Sequence, residues 1–252
     1  YCAKLLCFDM ADIRAMPAEI GGGFGGKTLV YLEPVAMALS KKSGRPVKLV
    51  MSREDVFRGT GPAAGGTIEV KLGAKKSGRI VAAELVLKYQ AGAFAGSPVG
   101  PGCMCAFAMY DLDNVHITGY DVVSNRPKVA AYRAPGAPNS SFGVESCLDE
   151  LARELGVDPL ALREMNAARD GTKTPYGPTL VNVGYLQTIE AARNHPNLKI
   201  PLGPNQGRGI ASGFWFNIGG ESSASVHVNE DGTVAVVEGN PDIGGSRASM
   251  AM

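Results

Sequence analysis

Histidine is scarce and unpatterned. His116, His195 and His227 are the whole complement in 252 residues, and none belongs to an HxH or HxxxH pair. An imidazole-built metal site is therefore not expected. The five cysteines, Cys2, Cys7, Cys103, Cys105 and Cys147, are odd in number and show no CxxC spacing. That argues against a disulfide framework and against zinc or iron–sulphur ligation. Cys103-x-Cys105 would put two thiols on one face of a strand, where a pair of buried, apolar-like cysteines is the simpler reading than a chelate. Net charge is nearly absent too: 25 basic and 24 acidic side chains leave +1. No bulk attraction to nucleic acid or to an anionic membrane follows. No apolar run reaches the roughly 18 residues that a membrane span needs. No charged-then-apolar signal opens the chain, which reads as cytoplasmic.

Glycine and proline are plentiful, 33 and 16, yet they punctuate well-patterned apolar segments and form no low-complexity tract. The elements come in irregular order and predict an α+β fold, mixed sheets with packed helices. Asp12 to Ile20 alternates like a half-exposed strand, and Val47 to Ser52 reads as another. Thr67–Leu72 and Arg79–Tyr89 form a hairpin across Lys75-Lys76-Ser77-Gly78. Asn114 to Val123 is a further strand. Ser140 to Leu155 has helical periodicity and ends at Gly156; Asp158-Pro159 then starts a second helix that runs to about Asn166. A third spans Tyr185 to Arg193. Asn194 to Gly207 is rich in Asn, Pro and Gly and reads as a connection, with a domain boundary near Leu202 to Arg208. Beyond it Gly209–Ile218, Ser223–Val228 and Val234–Glu238 read as strands, with Asp231-Gly232 as a two-residue type I′ turn. The chain opens on Tyr1 and closes on Ser249-Met250-Ala251-Met252 without a stop signal, so a portion of something longer is expected.

Residues 21 to 28 read GGGFGGKT, which fits the letters of both a nucleoside-triphosphate loop and a dinucleotide fingerprint. Five glycines around Phe24 allow positive φ and leave backbone N–H groups unshielded, so an anionic or oxygen-rich guest is the natural partner. The nucleotide readings also need a buried parallel strand before the loop and a helix starting on it. The alternating residues upstream, and Pro17 among them, do not suit such a strand. Downstream, Pro34 would break a helix that began at Lys27. A helix from about Glu33, with Pro34 in its first turn and Gly44 past its end, removes that conflict. A second segment, Ala131-Tyr132-Arg133-Ala134-Pro135-Gly136-Ala137-Pro138-Asn139, holds an arginine and exposed N–H groups just before a helix N-terminus, where an anion or oxo group could bind. A plain rigid turn with a surface arginine is the alternative. A third, Gly239 to Ser249, again joins a strand to an expected helix.

Together GGGFGGK, AYRAPGAP followed by Glu145 to Ala152, the Asp158–Asn166 helix and the terminal GNPDIGGSRAS resemble, in order and spacing, the molybdopterin-binding subunit of the xanthine dehydrogenase and aldehyde oxidase family. The likeness covers nearly the whole chain. It implies two cofactor-binding domains, residues 1–205 incomplete at the N-terminal side and 206–252 as the start of the second. It implies a molybdenum–molybdopterin cofactor, in the cytosine dinucleotide form for a bacterial source. Gly23, Phe24, Gly25, Arg133 and Gly136 match cofactor-contacting positions, and Gly244, Gly245, Ser246 and Arg247 match a segment at the pterin or phosphate end. The side chains themselves ligate no metal. Thr28 and Pro135 fall in the substrate pocket, where purine-oxidising members carry a glutamate and a phenylalanine; no arginine near Pro101 matches their purine-binding one, and Gly245 replaces a common glutamine. These departures argue against a xanthine-like small molecule and leave an aldehyde or another N-heterocycle open. The family's chemistry is hydroxylation with water-derived oxygen, electrons leaving through iron–sulphur and FAD groups in partner subunits or domains of an oligomeric complex. Its catalytic glutamate is expected beyond Met252, so no catalytic residue is assigned here and the isolated chain is expected to be inactive. A P-loop hydrolase and a non-catalytic scaffold remain the other two readings.

Overall fold

The computed structural model describes all residues except 17, 19, 62, 217–218, 240–242 and 245–252. It divides into two compact units, Tyr1–Thr60 together with Phe216–Met252, and Gly61–Trp215.

In the first unit, helix α1 (Cys2–Leu6) leads into a single 3-10 turn at Met10–Asp12, where the Asp9 carboxylate accepts from Ala11 N at 2.9 Å. The strand expected over Asp12 to Ile20 does not form among the described residues. Helix α2 (Glu33–Ser43) follows with Pro34 in its first turn and Gly44, at φ 64°, as its left-handed cap, as the punctuation predicts. Val47 to Ser52 alternates half-buried and exposed residues but pairs with no described strand. Helix α3 (Arg53–Gly59) starts on a capping box in which Ser52 and Asp55 satisfy each other's N–H groups.

The second unit is built on a three-stranded sheet. Strands β1 (Gly66–Ala74) and β2 (Ile80–Gly92) form the expected antiparallel hairpin, with Thr67 opposite Lys88 and Leu72 opposite Ala83. After helix α4 (Val99–Cys105), strand β3 (Val115–Val123) returns parallel to β2. Strand β2 is central and hides every second side chain, Leu85, Leu87, Tyr89 and Ala91, completely, because its period-two face lies on the core. Helix α5 (Ala137–Leu155) covers that core with Val144, Leu148 and Ala152, spaced four apart, and ends at left-handed Gly156. Gly143 lets it approach β1: a Cβ there would lie 2.4 Å from Ile68 Cγ2. Helix α6 (Pro159–Met165) is capped by Asp158, whose carboxylate accepts from Ala161 N at 2.9 Å. Helix α7 (Tyr185–Asn194) adds Tyr185 and Ile189 to the core, and the short α8 (Pro196–Lys199) occupies part of the expected connection.

Gly209 to Trp215 runs as irregular chain and is not a strand among the described residues. Strands β4 (Ala224–Val228) and β5 (Val234–Glu238) pair antiparallel in the first unit. Their turn is longer than two residues. Gly232 N donates to Asn229 O at 3.0 Å, Asn229 N to Thr233 O at 2.9 Å, and Gly232 alone takes positive φ, 83°. This is a type I turn followed by a glycine bulge, since a type I′ turn needs positive φ at both central residues. The helix expected at the C-terminal end lies outside the described residues.

Candidate functional site

Phe24 and Gly25 take φ of 52° and 89°, and Gly26 N donates to Gly23 O at 2.8 Å across them. Two positive φ values inside a four-residue bonded turn mark type I′ geometry. A left-handed phenylalanine costs on the order of 1–3 kcal/mol unless its surroundings impose it. Here three contacts impose it. The Lys27 ammonium donates to Ile20 O, Thr28 Oγ1 to Gly25 O at 2.9 Å, and the Tyr31 hydroxyl to Gly26 O at 3.2 Å. Phe24 is thereby held 53% exposed at the apex. The Gly23 and Gly25 N–H groups donate to no described acceptor.

Gly22 N donates to Ile243 O at 2.5 Å, so the terminal glycine motif reaches the first one within the same unit. Gly244 lies next to that contact, whereas Gly245, Ser246 and Arg247 lie outside the described residues.

In the second unit, Arg133 and Ala134 take φ of 20° and 56° and Gly136 takes 85°. Ala137 N donates to Ala134 O at 3.0 Å, so Pro135-Gly136 forms the centre of a type II-like turn, which puts glycine where φ must be positive. Glycine is also required sterically, because a Cβ at Gly136 would lie 2.1 Å from Pro98 O. Arg133 is exposed and its guanidinium pairs with no described residue, while Pro135 is half-buried. The turn feeds directly into α5, whose cap residue Gly136 offers no side-chain oxygen to the first N–H groups. The backbone N–H groups of Arg133, Ala134 and Gly136 donate to no described acceptor.

Cys103 and Cys105 lie on α4, not on a strand, and two helical residues two apart do not share a face. Cys103 Sγ points at β3, 2.7 Å from where a Cβ on Gly119 would sit, and Cys105 is 2% exposed, its thiol pushed up to about 11 by burial. Among the described residues no cluster of His, Cys, Asp or Glu could hold a metal ion.

Residues 1–167 match the family described as molybdopterin cofactor-binding domain. The chain belongs to the xanthine dehydrogenase and aldehyde oxidase family. It is 32% identical, over 76% of its length, to the nicotinate dehydrogenase large molybdopterin subunit of Eubacterium barkeri. It is 31% identical, over 92% of its length, to a xanthine dehydrogenase molybdenum-binding subunit of Escherichia coli. It spans 46% of the first relative and 33% of the second. The aldehyde oxidoreductase structure from Desulfovibrio gigas superposes with a TM-score of 0.69 at 28% identity, covering 86% of this chain and 25% of that one.

The family's cofactor fits the residues present. The first loop offers the Gly23 and Gly25 N–H groups, the loop of the second unit those of Arg133, Ala134 and Gly136 together with an unpaired guanidinium, and among the described residues neither offers a metal-ligand set; such donors suit a group gripped through its oxygens and phosphates. The nucleotide reading finds no support. Helix α2 starts at Glu33, five residues past Thr28, and the Lys27 ammonium closes its own loop.

One buried network escaped sequence reading altogether. Arg163 is fully buried on α6. Its Nε donates to Glu145 Oε2 at 2.8 Å, one Nη to Asp149 Oδ1 at 2.8 Å and the other to Pro159 O at 3.0 Å. The Tyr110 hydroxyl donates to Glu145 Oε1, and Ser212 N to Oε2 at 2.7 Å. Burial works against the Arg163 charge, yet the Glu145 carboxylate overrides it and lifts the guanidinium above its usual range. The network ties α5, α6, Tyr110 and the Gly209–Trp215 segment together. Glu145 and Arg163 stand 18 residues apart on different helices, so no local spacing signals their pairing.

Proposed function

We propose that the chain forms the cofactor-facing part of a molybdenum hydroxylase subunit whose substrate is an aldehyde or an electron-poor N-heterocycle. The observation that carries this reading is the pair of non-glycine left-handed turns, at Phe24 and at Arg133–Ala134, falling on the two motifs shared with the family. The names of the relatives, nicotinate dehydrogenase and aldehyde oxidoreductase, support both substrate classes. The bound group, a molybdenum–molybdopterin in its cytosine dinucleotide form, supplies oxidative hydroxylation of a C–H carbon with water-derived oxygen.

The chain's own residues bind and orient. The Gly23-Phe24-Gly25 turn meets the oxygen-rich end, Arg133 and Gly136 present a cation and amides, and Gly244 to Arg247 hold the pterin or phosphate end. Thr28 and Pro135 are assigned to the substrate pocket. The proton-accepting glutamate is assigned outside these 252 residues. Residues 1–205 are assigned to the first cofactor-binding domain and 206–252 to the start of the second. Electrons leave to iron–sulphur and flavin partners in a cytoplasmic complex.

Metal and pterin analysis of the active full-length subunit tests the reading: about one molybdenum and one pterin per subunit are expected on the 1:1 stoichiometry of a single resident cofactor. Active protein free of molybdenum would refute it.

A further inference from the structure

We propose that Tyr89 is the positioning residue of the Arg133–Gly136 turn, an assignment that rests on the cofactor reading above. Tyr89 sits on β2 with its side chain fully buried, and its hydroxyl donates to Gly136 O at 3.0 Å, across 47 residues of sequence. That carbonyl also accepts from Ser140 N at 3.2 Å, the first bond of α5. Both of its lone pairs are therefore used, one by the helix and one by the sheet. A backbone group so held has little freedom to rotate, and the left-handed turn immediately before it inherits that restriction.

The surroundings of the ring make the contact a fitted one. Two glycines clear space for it: a Cβ on Gly66 of β1 would lie 3.1 Å from Tyr89 Cδ1, and one on Gly102 of α4 would lie 3.0 Å from Cε2 and 3.2 Å from the hydroxyl. A Cβ on Gly102 would also lie 3.2 Å from Gly136 O, and Gly136 in turn has no room for a side chain against Pro98 O. Strand, helix and turn thus converge on one phenol through three glycines. A tyrosine required only as apolar filling needs neither the hydroxyl nor the room cleared for it at Gly102. The consequence concerns the donors on the turn. The Arg133, Ala134 and Gly136 amides and the Arg133 guanidinium are preorganised for an oxygen-rich group because the sheet core holds the turn from behind, which lowers the ordering cost of binding.

The test uses the full-length, cofactor-loaded subunit and compares Tyr89→Phe with Gly143→Ala. The second substitution disturbs α5 against β1 without touching Gly136. Cofactor release is followed as molybdenum and pterin lost on dialysis well below the unfolding transition. Tyr89→Phe is expected to release cofactor about 10-fold faster, the effect of one lost hydrogen bond. Gly143→Ala is expected to lower the unfolding temperature and leave release near the wild-type rate. An unchanged release rate in Tyr89→Phe, or equal acceleration in both variants, would overturn the assignment. Wild-type protein that carries neither molybdenum nor pterin overturns the cofactor reading before any variant is made, so the two failures are distinct.

Discussion

A fully buried guanidinium is tolerable only when its charge is paired and its N–H groups are met, and Arg163 satisfies that condition with Glu145, Asp149 and the Pro159 carbonyl. Arg163→Met would leave the Glu145 carboxylate without its counter-charge, so a loss of about 3–5 kcal/mol in urea unfolding is expected. An equally stable variant would show that the carboxylate finds enough donors in Tyr110 and Ser212. Alkaline pH probes a second buried group. Burial lifts the Cys105 thiol from 9.0 to about 11. Above pH 9 the unfolded chain gives up that proton while the folded one keeps it, so the unfolded state binds fewer protons and stability falls as pH rises towards about 11. Cys105→Ala should flatten the decline over that window; an unaltered slope would assign it to the other groups that burial raises, the Cys103 and Cys147 thiols and the Tyr89 and Tyr110 phenols. At this scale the sequence disclosed residues that face outward in special backbone. Phe24 and Arg133 stand in motifs whose letters are unusual. Tyr89 stands in none of them, and although Glu145 and Arg163 fall within motif segments, what they do was not legible there, because these roles depend on partners 47 and 18 residues away.

Among the elements, those with strong periodicity and punctuation were legible before any coordinates. The β1–β2 hairpin, α2, α5, α6 and α7 each carry a turn, a cap or a proline at a fixed offset. Helix α4 was not legible, since Val99-Gly100-Pro101-Gly102 has poor helix propensity and only its packing against β3 and Gly136 makes it a helix. The parallel β2–β3 pairing went unread with it, because no local signal announces a crossover. Val47 to Ser52 shows the opposite failure: the alternation is present, but no described strand pairs with it. The closeness of α5 to β1 gives a sharp prediction. Gly143→Ala places a methyl 2.4 Å from Ile68 Cγ2, and thermal unfolding should show a loss of about 1–3 kcal/mol from overpacking. Trimming the opposing side chain, Ile68→Val, should recover little, since valine keeps a γ-methyl on the same carbon, whereas Ile68→Ala in the Gly143→Ala background should recover more of the packing. If Gly143→Ala alone is neutral, α5 is free to slide on the sheet.

For the molecule as a whole, the nucleotide alternative makes the cleanest demand. Titration of the full-length protein with Mg-ATP is expected to show no saturable binding, in wild type and in Lys27→Ala alike, and binding that Lys27→Ala abolishes would restore the hydrolase reading. Lys27→Ala should instead loosen the Phe24 turn by freeing Ile20 O, seen as faster proteolytic nicking near Gly22. The family's four motifs were legible as a set, whereas the insertion of one compact unit within the sequence of the other was not, because composition records no contact between segments far apart in the chain. Tyr1–Thr60 and Phe216–Met252 form one unit with Gly61–Trp215 inserted between them. A ribosome therefore delivers the two parts of that unit at different times. At typical elongation rates of about 5–20 residues per second the early part waits roughly 8 to 30 s for its complement. The Gly22 N–H gains its Ile243 O acceptor only after that wait, so the first glycine loop, although made early, is among the last parts of the fold to be completed.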